Sequence, residues 1–387
     1  MVVTAHDSVW TVLHLACEAG CRRDMTAKDS DASALENRLQ NRIRQDGPIT
    51  TAEFMNAAAE VYYGQGDVFG ADGDFTTAPE ISQTFGEMIG LWSAVTWQAM
   101  GTPQPFHLVE CGPGRGTLMA DVLRAARQVP GFLEAADIHL IERSAALTTM
   151  QREALKDQKV TWHDTFHDCP DGPMILLANE FLDALPVRQF EKTIDEWQER
   201  CVGLDDAGQF QFTLQPPAGE APNAPKTASI GDVFEISPAV IEFVASAAAR
   251  IARHGGAALF IDYGHKTSAV GETIQAVKRH KPHPVLNAVG TADITAHVDF
   301  EAAAKAAQVA GTHVLGPIEQ GLWLKRLGIG VRGALLAKGK PPSVAREIET
   351  GIRRLTEPDG MGVLFKVMAI AHPNLAPLEG FSQNGAL

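Results

Sequence analysis

FHLVECGPGRGTLMADVLRAARQV, residues 106–129, decides how the chain is read. A short apolar run ends in Glu110 and Cys111. Glycines follow at Gly112, Gly114 and Gly116, and a helical pattern opens at Thr117. Without a Cβ, these glycines let the backbone turn sharply and approach a ligand closely. Several nucleotide-binding folds place such a loop between a strand and a helix, so the loop alone is a weak signal. Two details narrow it. The spacing is GxGxG, and Thr117 occupies the place that would complete GxGxxG. Glu110 stands two residues ahead of the first glycine.

In dinucleotide binders the third glycine lets a pyrophosphate sit over the helix start. S-adenosylmethionine (SAM) carries no phosphate, and an acid near the loop can face its cationic part instead. The segments that follow extend the pattern. DIHLIE (137–142) reads as a second strand, SAALTTMQREALK (144–156) as a helix, KVTWHD (159–164) and GPMILLANE (172–180) as further strands, and GGAALFIDYG (255–264) as a fifth. Strands alternating with helices imply a parallel sheet covered on both faces, an α/β fold that binds ligands beyond the carboxyl ends of its strands. Glu142 ends the second strand, where a carboxylate can accept from both ribose hydroxyls. Asp164 ends the third, where it can accept from an adenine amino group. The bland alternative for both is a helix cap or a solvated acid.

The chain has 387 residues, enough for a sizeable core and two or so domains. A formal net charge of −14 argues against a nucleic-acid partner, which calls for a basic face. No apolar run approaches the roughly 20 residues of a membrane helix, so stable membrane insertion is not expected. The cysteines, Cys17, Cys21, Cys111, Cys169 and Cys201, lack a CxxC pair and read as free thiols in a reducing, cytoplasmic setting. In WTVLHLACEAGCRRDM (10–25) the arginines follow the apolar part, the wrong order for a secretory signal. An extended gene start, with initiation at Met25, is the bland alternative for this segment.

SALENRLQNRIRQD (33–46) places Leu35, Leu39 and Ile43 at helical spacing, and Gly47-Pro48 stops it. A second helix follows from Thr50 or Thr51. GQGDVFGADGDFTTAPE (64–80) reads as a loop, and ISQTFGEMIGLWSAVTWQAMG (81–101) as a helix with Phe85, Ile89, Trp92 and Thr96 along one side. ERCVGLDDAGQFQFTL (199–214) reads as a hairpin turning at DDAG, and PPAGEAPNAP (216–225) as a linker. LWLKRLGIGVRGALLAKG and PSVAREIETGIRRLTEP, later in the chain, read as helices.

Several separate blocks give the chain a specific likeness. GDFTTAPEIS (73–82), ECGPGRGTL (110–118), NEFLDALPV (179–187), IDYGH (261–265), GTADITAHVDF (290–300), QGLWLKRLGI (320–329) and MGVLFKVM (361–368) occur in order. With them the chain resembles the MidA-type methyltransferases, bacterial relatives of the mitochondrial complex I assembly arginine methyltransferase, from about residue 33 to 372. One stretch departs. Where the family carries His-Pro-x-x-Gly-Tyr-Tyr, this chain reads AAAEVYYGQGDVFG (57–70), without the His-Pro. The resemblance implies a class I SAM-dependent, Rossmann-like core, SAM as cofactor, and methyl transfer to an arginine of a protein, with a complex I core subunit as the candidate acceptor and a homodimer among the states to test. It also lays the GDFTTAPE segment over the cofactor, with Asp74, Thr77 and Glu80 as binding candidates. The bland reading of Thr77 and Glu80 is a capping box. Two rival readings stand beside it: an NAD-dependent oxidoreductase, weakened by Thr117, and a non-catalytic SAM-binding assembly factor.

An arginine acceptor puts a demand on the residues. A guanidinium stays protonated and delocalised, so carboxylates must fix its planar fork by paired hydrogen bonds. Glu180 and Asp183 answer that demand. If Asn179 caps a helix after the fourth strand, Glu180 opens it at the sheet's carboxyl edge and Asp183 falls on a similar face. Otherwise both acids merely favour a helix N-terminus. Tyr263, at the end of strand five, and His297, in TAHVDF, are candidates to contact the target side chain. His265, His297 and Asp262 lack metal-motif spacing, so no metal is expected. Residues 1–32 read as a disordered or extended start, 33–103 as a helical lid, and 104–190 with 255–320 as the SAM-binding core. Residues 191–254 read as an insertion with the β-hairpin, and 321–372 as C-terminal helices with the final core strand.

Overall fold

The computed structural model describes residues 30–64, 77–219, 224–225, 227–287, 289–375 and 377–381. The expectation for most of the start, and the candidate Asp74, fall outside them.

The centre is a twisted sheet. In chain order its main strands are β1 (Phe106–Cys111), β2 (Ala136–Ile141), β3 (Val160–His163), β4 (Met174–Asn179), β5 (Gly256–His265), β6 (His313–Glu319) and β7 (Phe365–Ala371). They lie in the order β6-β7-β5-β4-β1-β2-β3. β1 to β5 run parallel, and β7 pairs antiparallel with both β5 and β6. Val298–Asp299 adds a short parallel strand to the end of β5.

Period-two alternation explains why both faces are covered. Leu108, Ile175, Leu177 and Leu259 face a core shared with α3 (Gln83–Ala99) and α4 (Thr117–Ala126). Their neighbours Val109, Leu176, Ala258 and Phe260 face the opposite core with α6 (Pro238–His254) and α7 (Phe300–Val309). Between these helices in the chain lies α5 (Ala145–Ala154). On α3, Phe85, Ile89, Trp92 and Thr96 are all buried.

A third core joins the N-terminal helices to the inserted chain. α1 (30–46) buries Leu35, Leu39 and Ile43, and α2 (Thr51–Gly64) buries Phe54, Met55 and Ala58, against Val202, Ala276 and Ile294. The insertion is more than a hairpin. Trp197–Leu204 pairs with Phe210–Gln215, but also with Ile49–Thr50 and Arg188–Lys192, and the latter pairs with Val233–Ile236. The stretch after residue 320 breaks where one helix was predicted. α8 (Gln320–Arg326) ends before Gly328, whose left-handed φ of 86° restarts the chain as α9 (Ile329–Ala337), and α10 (Pro342–Thr356) follows. Among the described residues, no helix is long and apolar enough to cross a membrane.

Candidate active site

The chain leaves β1 toward β2 and β3, then returns to β4 on β1's other side. The two loops that open from this reversal, after Cys111 and after Asn179, diverge and leave a crevice. A cavity of about 610 Å³ fills it, within the usual size for a small-molecule site.

The glycine loop forms one wall. Gly112, Gly114 and Gly116 all adopt left-handed φ, at 64°, 52° and 84°, which a side chain would strain. The loop closes when Gly116 N–H donates to Pro113 O at 2.7 Å, and Gly116 then caps α4. A side chain at Gly112 would also meet the Phe181 ring at 2.9 Å. Thr117 lines the cavity as well. Its hydroxyl donates to Glu80 Oε1 at 2.6 Å and ties the short helix Ala78–Ile81 over the loop. Glu80 therefore does not complete the capping box: Thr77 caps that helix without a side-chain bond. Thr77 and Glu80 both line the cavity.

Glu110 is buried beneath the loop and lines the same cavity. Its Oε2 atom has no partner. Burial pushes its pKa up to about 8, against a single opposing hydrogen bond from the Met119 amide. An unpaired carboxylate oxygen at the base of a cavity is a site for a donor or a cation.

Glu142 and Asp164 stand on the far wall. Glu142 accepts from the Ser144 amide at 2.8 Å and from Gln151 Nε2 at 3.0 Å, and burial raises its pKa. Sequence reasoning missed Gln151. Fully buried on α5, it also donates to Gly114 O at 2.8 Å and accepts from Trp162 Nε1 at 2.9 Å. One side chain thus locks the glycine loop to the acid at the end of β2. Its position mid-helix gave no signal, because its partners come from three other elements.

Glu180 is placed differently from the expectation. No helix follows β4. Glu180 adopts φ 50°, and a turn runs from it to Pro186. Left-handed backbone is uncommon for a residue with a Cβ and needs external support. Asp262, fully buried at the end of β5, supplies it. Its Oδ2 accepts the amides of Phe181 at 3.2 Å, Leu182 at 2.9 Å and Asp183 at 3.2 Å, and Oδ1 accepts from the Tyr263 amide at 3.0 Å. The Glu180 amide donates to Ile261 O at 2.9 Å. The carboxyl of Glu180 accepts from the Ala78 amide at 2.7 Å and from Asn179 Nδ2 at 3.2 Å. Asn179 is thus a partner of Glu180 rather than a helix cap. Both line the cavity. Burial, with the nearby Asp183, pushes the Glu180 pKa up to about 7.

Asp183, Tyr263 and His297 do not line this cavity among its described residues. Asp183 is buried behind the turn, where burial raises its pKa to about 6. The Tyr263 hydroxyl bonds to Thr295, and its ring meets His297 edge-on at 5.3 Å. His297 lines a separate cavity of about 460 Å³, and its pKa is lowered by burial and by His265. These residues buttress the turn and do not reach the main cavity. The remaining wall comes from Asn56, Glu60 and Tyr63 of α2 and from Glu242 and Phe243 of α6. Tyr63 donates to Asp293 at 2.8 Å, which ties the lid helix to the core.

The cavity suits an adenosyl ligand with a cationic end, and the chain is a SAM-dependent methyltransferase with a class I, Rossmann-like core. A family model described as "Putative S-adenosyl-L-methionine-dependent methyltransferase" matches residues 88–318, and the chain belongs to that family. It is similar to the human mitochondrial protein arginine methyltransferase NDUFAF7, 39% identical over 363 residues, covering 86% of this chain and 82% of that protein. The Drosophila melanogaster homolog is 35% identical over 394 residues, covering 92% and 90%. A Burkholderia thailandensis protein described as a methyl transferase, solved with S-adenosyl-homocysteine, superposes with a TM-score of 0.82 at 30% identity, covering 93% of this chain and 97% of that one.

Proposed function

We propose that the chain methylates an arginine side chain of a protein, with Glu180 orienting the guanidinium. The observation that carries this reading is a carboxylate held at the cavity wall by a strained turn, three of whose amides converge on one buried acid. Such rigidity suits a group that must present a fixed hydrogen-bonding edge. The named activity of the NDUFAF7 relatives supports the acceptor class.

The residues divide the work. Glu110 would face the cationic end of the cofactor, the loop from Gly112 to Gly116 would let the backbone approach it, Glu142 would take the ribose hydroxyls, and Asp164 would take the adenine end. Bound SAM supplies an electrophilic methyl on sulfur. Glu180 accepts two N–H bonds of the guanidinium, fixes its plane and draws positive charge away from the nitrogen left free. That nitrogen would be the methyl acceptor, and the N–H proton it gives up would leave on the side that faces Glu180. The Glu180 pKa of about 7 suits it to pass that proton onward. Glu60 of α2 and Glu242 of α6 also line the cavity and add negative charge that would favour a basic peptide.

A complex I core subunit in the same cytoplasm is the first acceptor to test. Mass spectrometry of complex I subunits, from cells with and without the gene, should find a methylarginine only with it. An unchanged methylarginine pattern would remove that acceptor. Failure of the purified chain to bind SAM at micromolar levels would remove the whole reading.

A further inference from the structure

The sheet face under α6 carries a row of imidazoles that no step above uses. His107 on β1 stands opposite Asp137 on β2 in the parallel register. His139 is two residues along β2, so it projects to the same face as Asp137. Three atoms meet there. His107 Nδ1 and His139 Nε2 are 3.1 Å apart, His139 Nε2 and Asp137 Oδ2 3.2 Å, and His107 Nδ1 and Asp137 Oδ2 3.7 Å. In a tetrahedral shell with bonds of about 2.0–2.1 Å, ligand atoms lie about 3.3 Å apart. The three atoms already outline one face of such a shell.

We propose that His107 Nδ1, His139 Nε2 and Asp137 Oδ2 form a binding site for a zinc-type divalent cation, with the fourth position open to water. Both imidazoles are buried, while the Asp137 side chain is 42% exposed and marks the entry path. The opposite nitrogen of each ring has an acceptor. His107 Nε2 faces Asp171 O at 3.4 Å, and His139 Nδ1 faces His163 Nε2 at 2.9 Å. With N–H on those outer atoms, the two inner nitrogens are left as lone pairs, the tautomers a metal requires. Without a cation, one proton must sit between His107 Nδ1 and His139 Nε2 for their contact to be a hydrogen bond. A cation in its place shifts that proton to the outer nitrogen of the same ring, beside its acceptor.

Gly172 makes room for the arrangement. A Cβ there would lie 2.7 Å from His107 Nε2. A second trio, His139, His163 and Cys169, shares His139 and competes for it. Two imidazoles and one carboxylate favour zinc and its neighbours over magnesium or calcium. The bound cation would clamp β1 to β2 well away from the transferred methyl, a stabilising role. Spacing in the sequence could not reveal it, because His107 and Asp137 meet only through strand register.

The test uses the full chain, stripped with a chelator and titrated with zinc chloride by calorimetry, with magnesium chloride as control. One equivalent of zinc is expected at micromolar or tighter affinity, with a raised Tm, and no magnesium binding. Asp137→Asn is half exposed and should fold, which circular dichroism checks. It should weaken zinc by roughly tenfold or more, the effect that even an outer partner can carry. Cys169→Ser should leave zinc binding unchanged. Absence of zinc uptake overturns the site, as does uptake that Asp137→Asn leaves intact. Loss of uptake in Cys169→Ser would assign the metal to the other trio and overturn it too.

Discussion

Asp262 holds the backbone of Glu180: one carboxylate oxygen accepts the three amides that follow Glu180 and keeps it at φ 50°. The two residues lie 82 positions apart in the sequence and meet because β4 and β5 pair in parallel up to Asn179 and Ile261. Burial, with the Asp183 and Glu180 carboxyls nearby, raises the Asp262 pKa, while the amides it binds oppose that rise.

Asp262→Asn keeps one accepting oxygen, so its NH2 must face either the Tyr263 N–H or the three turn N–H groups and leave at least one buried N–H unpaired, at about 1–3 kcal/mol. The turn should then loosen. A displacement of about 1 Å at a reacting group can cost about a hundredfold in rate. We expect kcat to fall on that scale, while SAM affinity measured by calorimetry stays close to the parent's. Equal losses in both would mean that Asp262 supports the whole crevice rather than Glu180.

Glu180 must be ionised to receive a guanidinium. Its pKa of about 7 in the free chain means that much of it is protonated at neutral pH. The rate at limiting acceptor, kcat/KM, should rise with pH and level off above about 7. A bound guanidinium favours the carboxylate, so the break in kcat should lie lower. Glu180→Gln should keep SAM binding and lose methylation. A variant with parental activity, or an unchanged pH profile, would rule out the role.

The glycine loop, the strand-end acids and the apolar runs of β1, β4 and β5 were legible because each is a local pattern. Which face Leu108 and Val109 take was not, because a strand buried on both sides reads as one continuous apolar run. The turn at Glu180 was not legible. NEFLDALPV has the look of a capped helix start, but Glu180 turns to left-handed φ with its amide bonded to Ile261 O, and Asp262 gathers the three amides that follow. Tyr263 and His297 lie outside the lining of the main cavity: the Tyr263 hydroxyl bonds to Thr295 of the Asp293–Thr295 strand, and its ring meets His297.

Gln151 offers a test of preorganisation in the cofactor half. Gln151→Leu keeps the volume roughly and removes the bonds to Gly114 O and Glu142 while leaving Trp162 Nε1 unpaired. Two bonds of about 1 kcal/mol each predict SAM affinity weaker by ten- to thirtyfold or so. Activity at saturating SAM should recover, since Gln151 touches neither Glu180 nor its turn. A kcat that stays low at saturating SAM would contradict this.

Glu110 makes cofactor affinity depend on pH. Its folded pKa of about 8 lies above the ordinary value of 4.5, so the folded chain binds its proton more tightly than the unfolded chain. The stability linked to that proton is fully present below about 4.5 and is lost as pH rises through about 8. A cationic ligand beside the carboxylate reverses the preference and expels the proton. SAM should therefore bind more tightly as pH rises from 6 to 8, by up to about tenfold per unit, and then level off. The Tm of the SAM-free chain should fall over the same range, and that of the SAM-bound chain should fall less. Glu110→Gln should flatten both curves, weaken SAM at pH 8, and raise the Tm of the free chain there. A Gln variant that keeps the parent's pH slope would assign the titration to another group and separate Glu110 from the cofactor's charge.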